Sequence, residues 1–390
     1  MFNVLLMLLP RAAITYPFYL LGVASLFRFG RRELFTYITI LLWCAVCFVV
    51  MSLVYNLSVT AYLLEIALVA PLLFLISGMT VKIAKPQQLM RLLSLGIFLL
   101  GLINLIVNHG FPSRLPYIDF LPDAYGALFG LGGAKIVTVL SFFCLISEMF
   151  GKECNRYFLF LALFNFIFPS YLLGILCGLF SLIFYFVRSF RGILLASTII
   201  SLIFSYSFDR FVSIDSTVFD LYGMAPKIYA YFVVIDMFKS DPLTLLFGTS
   251  LGQFSGTAAL WASEHLATVG AQSVPSLPGL HMSYFHDEYL GSVLALASDN
   301  IWALSSSANK PYASVPTILA EFGVLFGGIL LYRIFKIINK STGVTIEKLV
   351  LFIFVFSIFG IDVWHDNPWF LFGLALILSV FHDKNSAISS

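Results

Sequence analysis

The chain has 390 residues, of which 60% are hydrophobic and only 11% charged, with a formal net charge of +2. A soluble domain carries about 25% charged residues, so the polar surface needed to cover a water-soluble core of this size is missing. The five cysteines (Cys44, Cys47, Cys144, Cys154 and Cys177) show neither a disulfide framework nor zinc-finger spacing.

The apolar residues fall in long blocks, and about 20 such residues cross a bilayer as a helix. In chain order, spans are predicted near 12–27, 34–56, 60–80, 92–108, 126–149, 157–187, 192–208, 313–334, 347–363 and 367–381. The first segment lacks a basic start and runs into Arg28, Arg31 and Arg32, so no cleavable signal is expected, and residues 1–10 read as a partial helix. Cys44 and Cys47 form a CxxC inside a span, where core packing is the better reading than redox chemistry. Block 157–187 is too long for one span and is interrupted at Phe168-Pro169-Ser170-Tyr171, which predicts two short helices hinged near Pro169. The fold expected is all-α, a polytopic transmembrane bundle of about eleven spans. It divides into N-terminal membrane helices over 1–208, a large loop over 209–312 and C-terminal membrane helices with a short tail over 313–390.

Lys and Arg collect on the cytoplasmic side of membrane proteins. Fifteen of the 22 basic residues fall in one alternating set of loops, around 28–33, 82–91, 151–156, 188–191, 333–348 and at Lys384. The loop 209–312 then lies outside, which is periplasm in a Gram-negative host. An inner-membrane location follows. Within the loop, Met224–Phe238 carries Ile228, Tyr231, Phe232, Ile235 and Phe238 at helical spacing, and Asp241-Pro242 ends the pattern. Gly248, Gly252 and Gly256 mark turns, Gln272–Gly279 is a connector, and Tyr284–Ala297 reads as a second surface helix.

The ionisable residues give the candidate site. Lys135 is expected about ten residues into its span, where a charge is costly and is paired or lines a cavity; Glu65 is a candidate partner. Arg210, Arg114, Lys227 and Lys310 are external cations suited to a diphosphate, although an interfacial Arg also snorkels to lipid headgroups. His281-Met-Ser-Tyr-Phe-His286-Asp287-Glu288 is the densest ionisable run of the loop; His286 and Glu288 are candidate bases, and a solvated helix start is the alternative. Its spacing is not that of a zinc motif, and no metal or other cofactor is expected. The run Gly248–Gly256 has no lysine after it, so it is a close-packed turn and not a P-loop. Glu321 opens the next span as either a partner for a cation or a base.

Three features together resemble the O-antigen polymerase family of bacterial membrane glycosyltransferases and its O-antigen ligase relatives. The first is many spans with one large outer loop before the last three. The second is Lys227-Ile-Tyr…Phe238-Lys-Ser-Asp241-Pro242-Leu…Phe247-Gly248-Thr-Ser-Leu-Gly252-Gln-Phe254, and the third is Pro316-Thr-Ile-Leu-Ala-Glu321-Phe-Gly323-Val-Leu-Phe-Gly327. The chain has Lys227 where relatives often carry Arg. It reads Asn309-Lys310-Pro311-Tyr312 where ligases commonly place His-Asn. The resemblance implies metal-independent transfer of a glycan from undecaprenyl diphosphate to a hydroxyl of the next lipid-linked repeat unit. Glu321, His286 or Glu288 would serve as base, with Arg210, Arg114, Lys227, Lys310 and Lys135 holding the diphosphate or glycan. The partners implied are the lipid-linked donor and acceptor, membrane lipids, a chain-length regulator and a flippase, with no nucleic acid. A transporter or flippase of lipid-linked glycans, a ligase, and a non-catalytic scaffold are the competing readings.

Overall fold

The computed structural model describes residues 2–9, 15–28, 30–78, 80–81, 83–109, 125, 133–169, 171–186, 226–263, 277–292, 294, 312–341 and 345–389. Among the described residues, four helices are long and apolar enough to cross a membrane: Arg31–Ser52, Val59–Ile76, Pro86–Val107 and Gly133–Phe150. At 1.5 Å per residue, even 18 residues reach about 27 Å, close to the hydrocarbon thickness. The start of Val59–Ile76 is fixed locally, because the Ser58 side chain accepts the Ala61 amide at 3.2 Å. Asn155 does the same for helix Arg156–Ile167 through the Tyr157 amide at 3.0 Å.

Several predicted spans differ in detail. The 12–27 block is helical over Tyr16–Ala24, nine residues that are too short to cross, preceded by a short helix Phe2–Met7. The 157–187 block divides into Arg156–Ile167 and Leu172–Phe186 on either side of Pro169. The 313–334 block also divides, at Gly323, into Ser314–Phe322 and Val324–Ser341. The 192–208 block lies outside the described residues. The last two blocks are helices Thr345–Ile361 and Pro368–Ser389. One departure from pure helix is a two-residue antiparallel ribbon that pairs Phe27 with Val81 and Arg28 with Thr80.

Helix Gly133–Phe150 is the axle of the bundle. It is buried along most of its length and packs against Pro86–His109, Arg156–Ile167, Leu172–Phe186 and Pro368–Ser389. Phe142 stacks on Phe354 at 4.0 Å, and Phe143 meets Phe370 edge-on at 5.5 Å. In contrast, Arg31–Ser52 exposes Phe35, Leu42, Val46 and Val49, the apolar outer face that lipid would cover.

Many polar contacts gather at two ends of the bundle, with a buried Tyr125–Asn165–Ser94 chain between the helices. At one end Arg91 grips Glu148 with two bonds of 2.7 and 3.0 Å, Lys384 pairs with Glu347 at 2.5 Å, and Lys152 pairs with Asp383 at 2.9 Å. All of these basic residues belong to the set assigned to the inner loops. At the other end lie Ser58, the segment 241–258, residues 277–289, Ser314 and the connection 362–367, tied to one another by hydrogen bonds.

Candidate functional site

The glycine-rich segment 248–256 supplies the backbone of the site. The helix Pro226–Ser240 ends where the Asp241 amide bonds to Met237, and a short helix Leu243–Phe247 follows Pro242. Gly248 and Gly252 then take φ of +68° each, a conformation favourable only to glycine. The chain also presses closely on its neighbours: a Cβ at Gly252 would lie 2.6 Å from the Ala61 carbonyl oxygen. The resulting loop turns its amides inward. Glu321 accepts the amides of Gly252 and Gly256 at 3.0 Å each and of Phe254 at 3.3 Å. Gln253 closes the outer side by exchanging two bonds of 2.9 Å with the Ser58 backbone. The His286 ring Nδ1 lies 2.6 Å from the Phe254 carbonyl oxygen, and Ser283 donates to the Gln253 carbonyl.

Behind this loop lies a buried acidic cluster. The Ala258 amide donates to Glu65 at 2.9 Å and the Thr257 amide to Asp366 at 2.7 Å. His365 Nε2 stands 3.9 Å from Glu65 Oε1. Glu65, Glu321, His365 and Asp366 are all at most 2% exposed. Burial holds the His365 imidazole below its ordinary range; the neighbouring Asp366 carboxylate opposes this without reversing it.

A second cluster surrounds Asp362. Lys135 Nζ lies 3.4 Å from its Oδ2, the Tyr171 hydroxyl donates to the same oxygen at 2.7 Å, and the Val363 amide caps Oδ1 at 2.8 Å. Lys135 also sits over the Trp364 ring at 5.0 Å. The charge of Lys227 reaches Asp362 too, while its Nζ donates to the Tyr312 carbonyl at 3.0 Å.

One expectation about Lys135 is corrected here: its ion-pair partner is Asp362, not Glu65. Lys135 and Lys227, two of the five predicted cations, converge on Asp362, whereas Arg114, Arg210 and Lys310 lie outside the described residues. Of the predicted bases, Glu321 and His286 are buried in the loop's hydrogen bonding, and Glu288 is exposed. Compared with protein-family models, characterised proteins and solved structures, the chain matches none. The sequence reading passed over Asp362, His365 and Asp366. Their signal was present: Asp362-Val-Trp-His365-Asp366-Asn-Pro is a dense polar run between two apolar blocks, on the side assigned to the large loop.

Proposed function

We propose that the chain is a membrane glycosyltransferase that polymerises undecaprenyl-diphosphate-linked repeat units on the outer face of the inner membrane. One observation carries the reading. The separate stretches behind the family resemblance meet in space: the loop at Gly248–Gly256 is clamped by Glu321, and the helix that follows Lys227 packs beside them. In this reading the donor's anomeric carbon–oxygen bond to the diphosphate breaks as the acceptor hydroxyl attacks. Lys135 and Lys227, with Arg114 from an earlier external segment and Arg210 and Lys310 from the large loop, offset the charge that develops on the leaving diphosphate. Glu288 takes the acceptor proton, because its carboxylate is exposed while Glu321 and His286 hold the loop.

A second reading, transport of the lipid-linked glycan, draws support from the buried Glu65 within the apolar helix Val59–Ile76, since intramembrane ionisable groups commonly mark proton or ion paths. Deletion of the gene followed by glycan gel analysis separates the readings. Single repeat units attached to the acceptor indicate a lost polymerase. Carrier-linked units trapped on the cytoplasmic face indicate a lost flippase, and polymer that never leaves its carrier indicates a lost ligase.

A further inference from the structure

The acidic cluster behind the glycine loop poses a charge problem that the glycosyltransferase reading does not use. Three carboxyls, Glu65, Glu321 and Asp366, are buried together. Among the described residues, no lysine or arginine forms an ion pair with any of them. Burying several like charges is costly unless they are protonated or held by a cation.

A second observation is independent of the acids. His365 is fully buried, and among the described residues neither of its ring nitrogens has a hydrogen-bond partner; Glu65 Oε1 is likewise unpartnered. These orphaned atoms face one another at 3.9 Å. One ligand atom each from Glu65, Glu321 and His365 falls within 4.8 Å of the others. Ligands bound at about 2.0–2.2 Å to a shared ion stand roughly 3–4 Å apart, so closure needs shifts of less than about 1 Å. The three come from different elements: a long apolar helix, the helix after the large loop, and the connection 362–367.

We infer that Glu65, Glu321 and His365 form a binding site for one divalent first-row metal ion, Zn²⁺ or Mn²⁺, which locks the glycine loop to the helix bundle. One imidazole and two carboxyl side chains are a donor set that both ions accept. Glu321 retains lone pairs for an ion, since a carboxylate has about four acceptor sites and backbone amides use three of them here. The site is structural. It lies behind the loop, while Lys135 and Lys227, proposed to act on the diphosphate, stand by Asp362, so it adds no step to the transfer reaction.

The test uses the full chain, tag removed, purified in detergent without chelator. Elemental analysis is expected to find about one divalent ion per chain, as a dedicated protein site should hold. Removing it with a chelator should lower the thermal midpoint, and adding back Zn²⁺ or Mn²⁺ alone should restore it. Glu65→Gln and His365→Ala, if they fold, should lose the ion. Wild-type protein without bound ion whose midpoint responds to neither metal would overturn the site. A folded His365→Ala protein with its full metal content would overturn it equally. Should the variants fail to fold, the strip-and-restore measurement on wild-type protein decides alone.

Discussion

At the scale of single residues, Glu321 shows how a candidate can be legible while its role is not. One carboxylate in an apolar block is conspicuous in the sequence, but its acceptor duty to Gly252, Phe254 and Gly256 involves backbone amides, which no side-chain pattern records. Glu321→Ala would leave three buried amides unpaired, at about 1–3 kcal/mol each. A thermal midpoint well below wild type in detergent is expected, with Glu321→Gln intermediate because one acceptor oxygen remains. Equal midpoints for all three proteins would remove the clamp. The glycines give a paired comparison. A Cβ at Gly256 would sit 2.8 Å from the Glu65 carboxyl, while one at Gly328 meets nothing within 4 Å. Gly256→Ala should therefore destabilise the fold. Gly328→Ala, within helix Val324–Ser341, should be neutral or stabilise it by up to about 1 kcal/mol. Denaturation curves of the two variants check both signs.

Among the elements, the long helices were readable because a bilayer demands a continuous apolar run, and such runs survive any error in partner assignment. The break near Pro169 and the helix from Pro226 to Ser240 were readable for similarly local reasons. What was not readable is which charges meet across the bundle. Lys135 could have paired with Glu65 or Asp362, and only packing of Gly133–Phe150 near the 362–367 connection decides it. The anchoring of Pro226–Ser240 is equally non-local. Asp241 at its end accepts the Tyr55 hydroxyl at 2.7 Å and the Tyr289 hydroxyl at 2.5 Å. Burial, reinforced by Asp241, pushes the Tyr289 hydroxyl above its ordinary range, so it stays a donor at any physiological pH. Asp241→Ala should loosen this junction without unfolding the bundle. Hydrogen exchange is expected to rise across 284–292 and to stay unchanged in Gly133–Phe150; unaltered exchange across 284–292 would show that the two tyrosines contribute little.

For the molecule as a whole, the ion pairs of Arg91, Lys152 and Lys384 gather residues expected on the inner side, so the orientation can be tested by labelling. Cys154 provides a native reporter, since it is exposed in a loop assigned to the inside while Cys44, Cys47, Cys144 and Cys177 are buried. Lys239, exposed near the end of helix Pro226–Ser240, marks the other end. In intact cells, a membrane-impermeant thiol reagent should label Lys239→Cys and spare Cys154 until the membrane is permeabilised; the reverse pattern would invert the topology. The central claim is the transfer reaction itself. Its most direct measurement is incubation of the purified chain in liposomes with lipid-diphosphate-linked repeat units as the sole glycan substrate. The account predicts a ladder of lipid-linked polymers, with rates about 10²–10⁴-fold lower for Glu288→Gln. Repeat units that stay single with folded wild-type protein, or that merely change leaflet, would contradict it.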